Sequence, residues 1–281
     1  MKLPFTKMHG CGNDYIYFNC FAHDVPDPEG LSIRLSDHHF GIGGDGIILI
    51  CPSDVADARM RMFNADGSEG KMCGNGIRCV GKYLYDNGMI NGRETITVET
   101  LSGIKTLTLY PENGAVETVR VDMGAARLAP QDIPAYLDGN RVVSVPLVVD
   151  ERVYHITCVS MGNPHCVIFC KEDVDLLDLT HLGPKFENNP LFPERINTEF
   201  INVLGASELK MRVWERGSGE TWACGTGACA SGVAACLNGL CEKGHDIRIH
   251  LRGGDLVVNY TDETVWMTGS ATKVFEGVIE I

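Results

Sequence analysis

Apolar and polar residues alternate along several stretches of the chain, and turn-forming residues punctuate them. "ETITVETLSGIKTLTLYPENGAVETVRVDM", Glu94 to Met123, alternates between Gly- and Asn-bearing turns and predicts a β-meander. "HDIRIHLRGGDLVVNYTDETVWMTG", His245 to Gly269, predicts another, and "VVSVPLVVDERVYHITCVS", Val142 to Ser160, predicts a further hairpin. Two stretches read instead as helices: "IRCVGKYLYDNG" from Ile77 and "ACASGVAACLNG" from Ala228. The second is apolar nearly all round and is expected to be buried.

These elements recur at a constant spacing. Asn13 and Asn163 follow glycines at an offset of 163 − 13 = 150. "RMF" at Arg61 to Phe63 answers "RVW" at Arg212 to Trp214, 212 − 61 = 151, and Cys73 answers Cys224, 224 − 73 = 151. The helices end in Asn87-Gly88 and Asn238-Gly239, and Gly103 matches Gly254, again 151 apart. Such an offset predicts a duplication. The expected fold is α+β, with two pseudo-symmetric domains, each a mixed, mostly antiparallel sheet curled around a central helix. The expected domains are residues 1–125 and 126–270. The last strand, "KVFEGVIEI", has no counterpart within the second repeat, and residues 271–281 are expected to return to the first domain.

The chain's 281 residues, 44% hydrophobic and 22% charged, suit a globular protein of one large or two ordinary domains. A formal charge of −13 argues against nucleic acid or an anionic membrane as partner. No stretch approaches the roughly 18 apolar residues of a membrane-spanning helix, and the start, "MKLPFTKMHGCGNDY", has no apolar signal-peptide core. The expected location is therefore cytoplasmic, where thiols stay reduced. The twelve cysteines include no Cys-x-x-Cys, which counts against a metal site. Cys79, Cys229, Cys236 and Cys241 read as small structural hydrophobes.

Cys73 and Cys224 read differently. In each repeat a strand ("RMRMF", "KMRVW") leads through a polar loop to Cys-Gly-x-Gly and then the helix. A cysteine at a helix start meets unpaired N–H groups and the positive end of the helix dipole. Two consequences are expected: the thiol pKa falls toward neutrality, and the adjoining glycine backbone, at Gly74 and Gly225, seats a small carboxylate. If both helix ends served one cleft, two thiols flanking a carbon α to a carboxylate could invert it, one removing a proton and the other returning one.

"NADGSEGKMCGNGIR", Asn64 to Arg78, carries the pattern Asn-x-Asp-Gly-Ser-x4-Cys-Gly-Asn-Gly-x-Arg and resembles the signature of the diaminopimelate epimerase family. "KMHGCGNDY", "GIGGDG", "VSMGNPH", "FPERINTEFINV", "WERGSGETWACGTG" and "TGSATKVFEG" extend the resemblance over essentially the whole chain. Proline racemase relatives carry histidine where this chain has Asn75, and phenazine-pathway relatives lack the paired cysteines. The resemblance implies a cofactor-independent, metal-free epimerase interconverting L,L- and meso-diaminopimelate in lysine and peptidoglycan synthesis. Cys73 and Cys224 would be acid and base, with His165 and Glu215 assisting. Gly74, Asn75, Gly225 and Thr226 would hold the reacting carboxylate, and Asn13, Asn64, Asn163, Asn197, Glu215 and Arg216 the rest of the substrate. Some relatives carry a substrate-contacting glutamine where this chain has Gly46, so no role is assigned there. The resemblance also implies a homodimer with Phe275, a tyrosine in some relatives, near its interface.

Other readings compete. "GIGGDG" is formally Gly-x-Gly-x-x-Gly but precedes the strand-like "IILIC" instead of opening a helix, so it predicts a tight turn and not a dinucleotide site. A pyridoxal phosphate racemase would need a Schiff-base lysine, and no lysine stands in a comparably marked position. The alternative from another class is a non-catalytic thiol protein that senses oxidants or binds metal, with a Cys73–Cys224 disulfide or bound zinc as its working state.

Overall fold

The computed structural model describes all 281 residues, which divide into two compact units, Met1–Val121 with Thr268–Ile281, and Asp122–Met267. In the first, β1 (Lys2–Gly10) and β2 (Asn13–Asn19) form a hairpin whose two-residue turn is Cys11-Gly12, at φ 53° and 80°. Two successive left-handed residues match the twist of the flanking strands, and they set Asn13 at the first position of β2. β2 runs parallel to β3 (Gly46–Cys51). Parallel neighbours cannot be joined by a tight turn, and the connection is α1 (Pro28–Ser36), capped by Asp27. β4 (Ala58–Asn64) pairs with β3, the short β5 (Glu69–Gly70) and β6 (Thr95–Thr100). β7 (Gly103–Glu112) and β8 (Ala115–Asp122) complete the meander. Between β5 and β6 lies α2 (Gly74–Asp86), packed on β1, β2 and β7.

The second unit repeats this order. β9 (Val145–Val149) and β10 (Arg152–Ser160) form a hairpin, and β10 pairs with β11 (Pro164–Phe169). β11 runs parallel to β12 (Asn197–Gly205) across α3 (Leu179–Glu187). β13 (Glu208–Glu215) joins β12, β14 (Gly219–Thr221) and β15 (Asp246–Leu251), and β16 (Gly254–Tyr260) follows. The central helix, α4 (Gly225–Leu237), touches β10, β11, β12, β15 and β16. Ten of its residues from Gly225 to Ala235 are buried, as its all-round apolar sequence predicts. β17 (Val265–Ser270) spans the boundary between the units, and β18 (Thr272–Glu280) pairs with β1 from Lys2↔Glu280 to His9↔Thr272.

Two sequence expectations change. β18 does have a counterpart: β9 takes on β10 the edge that β18 takes on β1. The helices α1 and α3 escaped the periodicity reading. α1 contains Gly30 and two serines among its nine residues, and α3 contains Gly183 and Pro184. Intrinsic propensity therefore argued against both, while the parallel crossovers require a chain-reversing element at those places.

The repeat extends to side chains. Arg61 binds Glu69 through Nε–Oε1 and Nη2–Oε2 contacts of 2.7 and 3.0 Å. Arg212 binds Glu220 in the same bidentate way at 2.8 and 3.0 Å. Each pair clips the short hairpin that leads to a cysteine.

Candidate active site

Cys73 and Cys224 are the N-cap residues of α2 and α4, both in extended backbone conformation. The Gly76 N–H donates to Cys73 Sγ and the Gly227 N–H to Cys224 Sγ, each at 3.3 Å. Thiols here occupy the place usually taken by Ser, Thr, Asp or Asn. The local sequence explains the choice of conformation. A polar hairpin ends at an extended residue, and the glycines after it open the first turn of a helix whose face is otherwise apolar.

In the first unit Cys73 Sγ donates to Asn13 Oδ1 at 3.3 Å, and Asn75 Nδ2 donates to the same oxygen at 3.3 Å. Asn13 is held in that sense because its Nδ2 donates to Asp45 Oδ2 at 2.6 Å. Burial raises the Asp45 carboxyl from its ordinary value. The Tyr15 hydroxyl also reaches the Cys73 thiol and Asn13, and its own ionisation is pushed well up, by burial first and by the charges of Cys73 and Asp45 next. Gly74 begins α2, and its carbonyl accepts from the buried Arg78 Nη1 at 3.1 Å. Asn64 ends β4 with its amide donating to Ser68 at 3.0 Å, in a loop bond separate from the Cys73 cluster.

In the second unit His165 joins Asn163 at 3.0 Å through Nε2, Asn163 Nδ2 donates to Thr226 Oγ1 at 3.2 Å, and Thr226 Oγ1 lies 3.5 Å from Cys224 Sγ. Glu215, at the end of β13, accepts from the Thr221 hydroxyl and interacts with the Cys224 thiol; burial raises its carboxyl. Asn197 accepts from the Arg216 N–H at 2.9 Å and donates to Pro164 O at 2.8 Å, so both ends of its amide clamp backbone. Arg216 Nη1 donates to Glu194 O at 2.8 Å. Gly225 begins α4.

One expectation is overturned. Helix-start position predicted thiols with lowered pKa, and both are raised. For Cys73 burial outweighs the N–H groups of Gly76 and Asn75, the Tyr15 hydroxyl and the Arg78 charge. For Cys224 burial is joined by the nearby carboxylates of Glu215 and Glu199, and the thiol sits well above its usual value. A helix end acts through a few N–H groups, whereas desolvation acts on the whole ion.

Tyr15, Asp45 and Glu199 were not found from the sequence. The repeat could have pointed to Tyr15, since it stands where His165 stands in the other half, 165 − 15 = 150. Gly46, left without a role, sits at φ 152° with Phe63 O only 2.0 Å from where a Cβ would be, so no side chain fits there. "GIGGDG" forms the turn between α1 and β3, and its Asp45 reaches back to Asn13. Cys79 and Cys229 are fully buried and Cys241 nearly so, while Cys236 is partly exposed; all twelve cysteines are free thiols. No grouping of three or more His, Cys, Asp or Glu side chains is arranged to ligate a metal, and no helix is long and apolar enough to cross a membrane.

The family model for diaminopimelate epimerase matches residues 5–129 and 157–274. The chain belongs to the diaminopimelate epimerase family. The diaminopimelate epimerase of Agathobacter rectalis is 56% identical over 288 residues, covering 99% of this chain and 100% of that one. That of Acetivibrio thermocellus is 53% identical over 281 residues, covering 99% of each. Among solved structures, a phenazine biosynthesis protein of Bacillus anthracis superposes with a TM-score of 0.72 at 16% identity, covering 100% of both chains. At that identity the likeness concerns the fold, which the family shares with phenazine biosynthesis proteins.

Proposed function

We propose that the protein epimerises L,L- and meso-diaminopimelate without a cofactor, with Cys73 and Cys224 as acid and base. The observation that carries this reading is the duplication of one device, a thiol capping a central helix and hydrogen-bonded within its own polar cluster. Inverting a carbon α to a carboxylate needs a thiolate to remove its proton and a thiol to supply one to the other face. Buried thiols with raised pKa suit this, since the thiolate formed is a strong base. The backbone of the first helical turn at Gly74 and Asn75, and at Gly225 and Thr226, lies at the positive end of each helix dipole, and it is assigned to the reacting carboxylate. Asn13, Asn64, Asn163, Asn197, Glu215 and Arg216 are assigned to the remaining amino and carboxylate groups, with His165 and Glu215 assisting the Cys224 thiol.

The test is proton NMR of reduced protein with L,L-diaminopimelate in D2O. The expected result is meso product carrying deuterium at the inverted α-carbon. Absence of both product and exchange would sink the substrate assignment.

The protein is further proposed to work in the cytoplasm as a homodimer. Val274, Phe275 and Val278 on β18 are 55%, 45% and 62% exposed, and a partner chain would cover them. Phe275 is steadied by an edge-on contact with Phe5, ring centroids 5.8 Å apart. Sedimentation should give twice the chain mass, and Phe275→Glu should shift it toward one chain mass; a wild-type monomer at micromolar concentration would refute the dimer.

A further inference from the structure

Behind Cys224 lies a buried acid that the reading above does not use. Glu199 and His165 are both 0% exposed, and Glu199 Oε1 stands 2.7 Å from His165 Nδ1, within the range of charge-assisted bonds. The other imidazole nitrogen, Nε2, faces Asn163 Oδ1 at 3.0 Å, while Asn163 Nδ2 faces Thr226 and Thr226 faces the Cys224 sulfur. A single hydrogen-bonded chain thus runs from a buried carboxyl group to the thiol.

Its polarity can be read from the atoms. An amide oxygen only accepts, so Nε2 must carry a proton. The Nδ1···Oε1 contact needs a second proton between those atoms. The pair therefore holds one proton more than a carboxylate beside a neutral imidazole. Charge leads to the same state. A bare Glu199 carboxylate would bury a net negative charge while its Oε2 has no hydrogen-bond partner, which is costly. The ionisable groups facing the pair, Glu215 from β13, Cys224 from α4 and the Cys158 and Cys166 thiols of β10 and β11, offer no other cation to offset it.

The first unit shows that the fold does not need this acid. The positions equivalent to His165 and Glu199 are Tyr15 and Ile48, with 165 − 15 = 150 and 199 − 48 = 151. A Cβ added to Gly227 would meet Glu199 Oε1 at 2.6 Å, and one added to Gly76 would meet Ile48 Cδ1 at 2.5 Å. The same slot over the first turn of the helix is filled by a carboxyl group in one half and by an aliphatic chain in the other.

We infer that Glu199 is a positioning residue that keeps His165 protonated on both ring nitrogens, so that a cation stands at the head of the hydrogen-bonded chain that runs through Asn163 and Thr226 to the Cys224 sulfur. Its catalytic consequence rests on the epimerase reading: a Cys224 thiolate, formed against a large burial penalty, is stabilised by a donor already aimed at it and by the imidazolium, which offsets the Glu199 charge that disfavours it.

The test uses the whole protein labelled with 15N-histidine, as wild type and Glu199→Gln, with the His165 signals assigned from their loss in His165→Gln. At about pH 8 both His165 ring nitrogens should be protonated in the wild type and only one in Glu199→Gln. In steady-state assays with diaminopimelate, Glu199→Gln should lose less kcat/KM at about pH 6 than at higher pH. At about pH 8.5 it should fall roughly tenfold or more below wild type. Its KM should change less than about twofold, because the fully buried Glu199 does not reach the substrate. An unprotonated ring nitrogen on wild-type His165 at pH 8 overturns the inference, as does a variant reduced by one constant factor at every pH. If the wild type does not turn over diaminopimelate, the epimerase reading fails, and the NMR comparison still decides the role of Glu199, on the wild type alone should the variant not fold.

Discussion

Alanine at either Cys73 or Cys224 is expected to lower kcat for diaminopimelate by about 10³-fold or more, within the range a single positioned general acid or base contributes. Each thiol is the sole group assigned to one face of the substrate carbon, so the two losses should be comparable, and the double variant should be little worse than either single one. Folding should survive. Each substitution removes one cap bond, from Gly76 N–H or Gly227 N–H, worth about 1 kcal/mol. Serine should restore the cap but not the rate, because a hydroxyl ionises far less readily than a thiol. Wild-type activity should also climb with pH. Both thiols are raised by burial, so the thiolate fraction is small at neutrality and grows as pH increases, and kcat/KM should rise from pH 6 to about pH 9. The decisive measurement is kcat for the single variants with fold checked by circular dichroism. More than a tenth of wild-type activity in either folded variant would rule out the two-thiol mechanism.

Arg78→Met should destabilise the first unit by about 3 kcal/mol, the cost expected when one member of a buried polar arrangement is removed and its partners are stranded. The Arg78 side chain is fully buried. Its Nη1 donates to Gly74 O and its Nε to Ser270 O, both at 3.1 Å, and Nη2 contacts Cys11 Sγ at 3.6 Å. One guanidinium thereby ties the first turn of α2 to the β1–β2 turn and to the last residue of β17. Methionine fills much of the volume but satisfies neither carbonyl. The variant should unfold at lower guanidinium chloride concentration with its slope unchanged. Losing the cation should also raise the Cys73 thiol further and move the rise of kcat/KM to higher pH, since that charge favours the thiolate. An unchanged unfolding midpoint would show that the two carbonyls find other donors.

Cys73 and Cys224 were legible as a pair because the signal is local and occurs twice. A cysteine between a polar hairpin and a glycine-bearing apolar run identifies a helix start whatever surrounds it. Asn13 and Asn163 were raised by the same duplication. Glu199 had no such signal: within "INTEFINV" it is one polar residue in an apolar run, and its first-half equivalent is Ile48. A carboxyl group acquires meaning there only from what the fold places 2.7 Å away, on a parallel neighbouring strand and 34 residues earlier in the chain. Asp45 is similar, a turn residue by composition that orients Asn13 through a bond across 32 residues.

The sequence by itself determined the meanders, the two central helices, the duplication and the residues that start each helix. Those features depend on periodicity, turn chemistry and spacing, which a linear chain carries in full. Only the tertiary structure decided that β9 answers β18, that two glycine- and proline-bearing segments become helices, and that the cysteine thiols are raised and not lowered. Those outcomes depend on which backbone edges meet and how much water is removed from a given atom. Burial is a property of the packed neighbours, and at Cys73 and Cys224 it outweighs the helix-end effect that the sequence had made visible.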